Sequence, residues 1–147
     1  MPPTLPFDYH SHHRRCGHAV GEMDHYARAA ADAGLTHFGL SDHGPAYWRD
    51  GDHAQPATQM AVSEFPRYAD DARRVQAAFA DRLDVAVGVE ADWIDGREDD
   101  LGALLDTIPF DYVLGSVHYS RGRSIFRKDW EEVDPLPVFE DYYRQVA

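Results

Sequence analysis

Four short apolar runs in this sequence each end in a side chain able to bind a cation. FDYHSH ends in His10 and His12, FGLSDH in Asp42 and His43, VAVGVEAD carries Glu90, and YVLGSVH ends in His118. Imidazole combined with carboxylate suits zinc, iron or manganese, whereas an all-oxygen set would point to magnesium or calcium. Side chains along a strand repeat with period two, so His10 and His12 project to the same side and can share one ion. Glu90 is the natural bridging group, because one carboxylate offers two oxygens to two metals. Such a pair generates hydroxide at neutral pH and clamps a phosphoryl group during in-line displacement. A single His-x-His, Ser-Asp-His or strand-end glutamate is a weak signal, since Asp and Ser also shape turns. The joint signal is stronger, because parallel α/β folds gather their chemistry at the carboxyl ends of the strands.

The elements that must position these groups follow from periodicity. Strands are expected at Pro6–Tyr9, Thr36–Ser41, Asp84–Glu90 and Asp111–Val117, apolar enough to be buried on both faces. Helical spacing of Met23, Tyr26, Ala27, Ala30 and Ala31 marks Gly21–Ala33, with Gly34 as its C-terminal cap. Phe65, Tyr68, Ala69, Ala72, Val75, Ala78 and Phe79 mark a second helix over Glu64–Arg82. Leu101, Leu104 and Leu105 mark a third over Asp99–Asp106, and a fourth begins at about Val138. Alternating strands and helices imply parallel strands with right-handed crossovers. About four βα units are present, without repeats or linkers, so residues 1–147 read as one domain. A closed βα barrel takes about 250 residues, roughly twice what this sequence offers. The closing YYRQVA also runs in a helical pattern without a stop signal. The expectation is a piece of a longer barrel, or a chain that covers its open edge by self-association.

A net charge of −12 argues against broad nucleic-acid binding, which needs clustered Lys and Arg. It leaves room for a small anionic substrate, because bound divalent cations reverse the local field. No run approaches the roughly 18 consecutive apolar residues of a membrane helix. The start, MPPTLPFDYH, has no basic or apolar leader character. The lone thiol, Cys16, fits a reducing cytoplasm.

The motifs also carry a family resemblance. DYHSHHRRCGHAVG resembles the first motif of the PHP (polymerase and histidinol phosphatase) family as it stands in histidinol-phosphate phosphatases. GLSDHGP looks like the second motif, GVEADW the third and PFDYVLGSVHY the fourth, and QMAVSEFPRYADDARR is similar to a helix entry of that subgroup. The resemblance implies an α/β fold, part of a distorted PHP-type (β/α)7 barrel with parallel strands. It implies divalent metal ions, up to three of zinc, manganese or iron, on His10, His12, His18, His43, Glu90 and His118. His18 enters through the resemblance; by residue type alone it is a loop histidine. The implied reaction is hydrolysis of L-histidinol phosphate, a step of histidine biosynthesis, with a metal-bridging hydroxide as nucleophile. The family's later His and Asp-x-His ligands have no counterpart after His118. Smaller departures are His13, where threonine is common, and Asp95-Gly96, where Pro-Gly is common.

Other residues leave alternatives open. Asp8 and Asp42 could orient imidazoles, as metal-bound histidines require, or Asp42 could act catalytically by assisting proton transfer to the leaving alkoxide. His25, His37 and His53 read as structural or solvated. Cys16 could be a soft ligand or a small packed side chain. In the long connection Gly44–Ser63, Tyr47 and Trp48 could cover a substrate or pack on the rim. Arg14, Arg15, Arg49, Arg97 and Arg121 neighbour strand ends and could meet a phosphate. The rival readings are a phosphoesterase of other specificity, an amidohydrolase, and a non-catalytic metal-binding fragment. The amidohydrolase often uses a metal-bridging lysine, and the single lysine here, Lys128, lies far from a strand end.

Overall fold

A computed structural model of the chain describes residues 6–17, 19–54, 58–126 and 134–147; His18 and Lys128 lie outside these. Four parallel strands, β1 (Phe7–Asp8), β2 (His37–Leu40), β3 (Asp84–Asp92) and β4 (Tyr112–Ser116), pair in that order into a curled half-barrel. Phe7 stands opposite His37, His37 opposite Asp84 and Gly88 opposite Tyr112. Helices α1 (Met23–Asp32), α2 (Phe65–Phe79) and α3 (Glu98–Leu105) connect them. A small antiparallel hairpin, β5 (Tyr119–Ser120) with β6 (Arg123–Ser124), and helix α4 (Pro135–Val146) follow β4.

Period-two patterning decides which face of β3 does what. Val85, Val87 and Val89 are buried against Phe38 and Leu40 of β2 and the apolar stripes of α1 and α2. Those stripes are Met23, Ala27 and Ala30 on one helix and Tyr68, Ala72, Val75 and Phe79 on the other. Each fully buried valine or larger apolar side chain contributes roughly 1.5–3 kcal/mol, so this layer holds the sheet. The alternate residues Gly88, Glu90 and Asp92 occupy the opposite face. There Tyr112 of β4 lies flat across two neighbouring strands: a Cβ on Gly88 would stand 2.4 Å from its ring, and one on Gly39 2.1 Å from its hydroxyl. The hydroxyl donates to the Tyr9 carbonyl at 2.8 Å. Glycine at both positions is therefore a packing requirement of the tyrosine bar, which ties β4 to the segment following β1.

The expected elements form with shifted ends. Strand β3 runs two residues beyond Glu90, because Asp92 still pairs with Ser116. Strand β1 is reduced to two paired residues. Helix α1 closes as expected at Gly34, in the left-handed region with φ +85°. Helix α2 stops at Phe79, and Ala78, expected on its buried side, is exposed. Helix α4 starts at Pro135 instead of about Val138, since Asp134 accepts from the Leu136 N–H at 3.1 Å and proline is favoured in a first turn. No helix of the described residues is long and apolar enough to cross a membrane.

Candidate metal centre

The cluster is assembled by backbone bonds at the strand ends. Ser11 docks the segment after β1 onto the end of β2: its hydroxyl donates to the Gly39 carbonyl at 2.6 Å, and its N–H donates to Ser41 Oγ at 3.0 Å. With Ser11 turned to the sheet, His10 and His12 on either side of it reach Glu90. The loop after β2 is likewise fastened to β3, because Glu90 N–H donates to the Asp42 carbonyl and Gly44 N–H to the Glu90 carbonyl. His43 is thereby set beside Glu90.

Glu90 is the hub. Its Oε2 lies 2.9 Å from His10 Nε2, 3.3 Å from His12 Nε2 and 3.3 Å from His43 Nδ1. Its Oε1 lies 3.4 Å from His118 Nε2. His10 Nε2 and His12 Nε2 face each other at 3.1 Å. The carboxylate side chain is 5% exposed, and a buried charge is ordinarily paired or coordinated to metal. A cation bound tetrahedrally at about 2.0–2.2 Å spaces its ligand atoms about 3.3–3.6 Å apart. The observed spacings, together with an imidazole–carboxylate donor set, fit such ions. Among the described residues, two of the three groups close enough to hold an ion contain Glu90: His10, His12 and Glu90, and His43, Glu90 and His118. Glu90 belongs to both, through different oxygens to its outer partners.

Behind the cluster, carboxylates fix the rings. Asp92 Oδ1 is 2.6 Å from His118 Nδ1, and its Oδ2 accepts from Gln59 Nε2 at 2.6 Å. That leaves His118 Nε2 toward Glu90. Burial would push the His118 imidazole down, but the bond and charge of Asp92, with Glu90, outweigh it and raise it above the usual histidine range. Asp42, 1% exposed, has Oδ1 3.4 Å from His12 Nδ1 and Oδ2 2.5 Å from His13 Nδ1. Burial alone would raise its carboxyl, yet these histidine bonds hold it well below the usual carboxylate range. Burial, joined by the nearby His12 and His118 against the pull of Glu90, pushes the His43 imidazole down to about 4.

The structure sorts the remaining candidates. Asp8 accepts from the backbone N–H of His10 at 3.0 Å and makes no side-chain bond to an imidazole among the described residues. Asp42 Oδ1 accepts from the His43 N–H at 3.1 Å and faces His12 Nδ1, while Oδ2 lies against the His13 ring. Cys16 is buried, its thiol donating to the His13 carbonyl at 3.3 Å, and it also lies within ligand distance of His12 and Asp42. His25 completes a capping box with Glu22 on α1. Tyr47 and Trp48 pack on the rim, Tyr47 donating to the Asp92 carbonyl at 2.9 Å and Trp48 lying edge-on to Tyr119. Arg14 pairs with Glu22, Arg15 with Glu64 and Asp71, and Arg97 with Asp100. The Arg49 guanidinium lies over the Tyr119 ring. Sequence reasoning missed His13, Gln59 and Asp92. Asp92 had a signal, since it stands two residues beyond Glu90 on one strand face; His13 and Gln59 had none.

The sheet, the strand-end cluster and the order of the motifs are those of one family: the chain belongs to the PHP domain family, whose profile matches residues 8–147. It is 38% identical over 144 residues to the "Probable histidinol-phosphatase" of Deinococcus radiodurans, covering 95% of this chain and 54% of the relative. It is 27% identical over 154 residues to the protein of that name in Schizosaccharomyces pombe, covering 95% and 50%. The chain thus spans about half the length of the curated relatives it matches. Its fold matches that of a histidinol phosphate phosphatase from Lactococcus lactis, solved with zinc, L-histidinol and phosphate. The TM-score is 0.68 at 22% identity, over 83% of this chain and 43% of the other.

Proposed function

We propose that His10, His12, His43, Glu90 and His118 hold divalent metal ions in a phosphomonoester hydrolase acting on L-histidinol phosphate. His18, outside the described residues, joins the set through the family resemblance. The observation that carries the reading is the sharing of both Glu90 oxygens among imidazoles delivered from the ends of three other strands. Zinc, manganese or iron bound there supplies a nucleophile at neutral pH and neutralises phosphoryl charge. The chain's part is positional. Asp92 holds His118 and Asp42 holds His12, so that each presents its second ring nitrogen to the cluster. Beside Glu90 a cavity of about 600 Å³, walled in part by Trp93, Phe126 and Tyr142, gives a small phosphorylated substrate room to approach. The similarity to histidinol-phosphatases supports that substrate and, with it, a cytoplasmic step of histidine biosynthesis.

The test is phosphate release from L-histidinol phosphate beside a panel of other phosphomonoesters, with added zinc or manganese and with chelator. Turnover preferring L-histidinol phosphate and abolished by chelation is expected. Equal turnover across the panel removes the substrate, and metal uptake without any turnover removes the catalytic reading.

A further inference from the structure

A second chain of polar contacts runs from α2 into the cluster through His13, a residue with no surface role. Its ring is 3% exposed and packs 5.6 Å from the Tyr68 ring. On one side Arg15 Nη1 stands 3.0 Å from His13 Nε2. On the other, His13 Nδ1 stands 2.5 Å from Asp42 Oδ2. Arg15 is itself fixed, donating to Glu64 Oε2 at 3.1 Å and to Asp71 Oδ2 at 2.6 Å. A guanidinium has donors and no acceptor. The His13 nitrogen facing it must therefore be the unprotonated one, and the ring proton must sit on Nδ1, the nitrogen in close contact with Asp42 Oδ2. The remaining Asp42 oxygen, Oδ1, accepts from the His43 N–H at 3.1 Å and faces His12 Nδ1 at 3.4 Å. The Asp42 backbone is pinned too, its N–H donating to the Tyr68 hydroxyl at 3.2 Å, which donates onward to the Gly88 carbonyl at 2.6 Å.

We propose that His13 is a positioning residue for the metal centre: set in its Nδ1–H form by Arg15, it clamps Asp42 so that Asp42 presents Oδ1 to His12 and turns His12 Nε2 toward Glu90. The inference rests on the reading of His12 as a metal-holding residue. It adds that the ring orientation is inherited from a side chain two contacts away, anchored on α2. Without the His13 donor, Asp42 keeps its charge in a buried site and is free to rotate, and His12 loses its fixed orientation.

Two measurements decide it. Nitrogen-15 correlation spectra of the histidine rings report tautomers directly in the unaltered chain, and His13 is expected with its proton on Nδ1. A His13 carrying its proton on Nε2 overturns the proposal. Cobalt(II) titration, followed by d–d absorption, then measures the cluster. His13→Ala is expected to bind about 10–100-fold more weakly than the unaltered chain. His13→Asn, whose amide N–H can stand where Nδ1–H stands, is expected to restore most of the affinity. Unchanged affinity in His13→Ala, or equal losses in both variants, overturns the proposal, since ring bulk or nothing at all would then be at stake. If circular dichroism shows His13→Ala unfolded, the tautomer spectra decide alone. An unaltered chain without d–d bands overturns the metal reading of the whole cluster, and this inference with it.

Discussion

The two ends of the same four-stranded sheet handle charge in opposite ways. At the amino ends of the strands, Asp111 accepts from the Val87 N–H at 2.8 Å, from Arg73 Nη1 at 2.8 Å and from Gln76 Nε2 at 3.1 Å. Arg73 donates onward to the Pro109 carbonyl. Each donor there has an acceptor of complementary charge or a backbone oxygen, and the network ties α2 to β3 and β4. At the carboxyl ends, Glu90, Asp92 and Asp42 are all buried among imidazoles. Each imidazole nitrogen there donates or accepts according to its tautomer, and two of these nitrogens face each other at 3.1 Å. A network complete in itself stabilises the fold; one that gathers lone pairs around a buried carboxylate has the donor arrangement that a cation would complete. The sheet is thus held together at one end and kept available for chemistry at the other.

The strongest way to break this contrast is Glu90→Gln. The amide keeps the shape but removes the negative charge shared by both ligand groups. Metal content, measured by elemental analysis of the purified variant, should fall to a small fraction of that of the unaltered chain, with hydrolysis falling alongside. Unchanged stoichiometry would place Glu90 outside the centre. Next in size is Asp92→Asn, which weakens the hold on His118 without touching the ligands. It should lower metal affinity about 10–100-fold, read by competition with a chromophoric chelator.

Asp111→Asn at the other end should leave metal affinity unaltered and lower stability by about 1 kcal/mol, a modest value because the carboxylate is partly exposed. Burial would raise the Asp111 carboxyl, but the bonds from Val87, Arg73 and Gln76 outweigh it and hold it below its ordinary value. A carboxyl depressed in the fold adds stability above its unfolded pKa and loses it as pH falls toward the folded value. The gap between the chain and Asp111→Asn in urea unfolding should therefore be larger at neutral pH than below about pH 4. A constant gap would show that the carboxylate charge contributes nothing there. The smallest effect belongs to His37→Gln, since His37 is exposed at the start of β2, 3.6 Å from Asp84. Both metal affinity and stability should stay within about 0.5 kcal/mol of the unaltered chain, as calorimetry and the chelator assay would show.

Much of this was legible in residue order alone. Apolar runs of strand length, alternating with helical stripes, dictated a parallel α/β sheet, and period two put His10 with His12. The strand ends named the residues that now surround Glu90, because a parallel sheet brings every carboxyl end to one side. What the sequence could not decide were partnerships between elements. Gln59 reaches Asp92 across 33 positions, and Tyr112 lies over Gly88 and Gly39 from a different strand. Arg15, read as a possible phosphate contact, turned to Glu64 and Asp71 and fixed His13 instead. Spacing along a chain states which way a side chain points; only the packing of helices and strands states what stands there to receive it. A hydrogen bond forms within a few tenths of an ångström or not at all, so the orienting partners of the cluster were settled by tertiary structure.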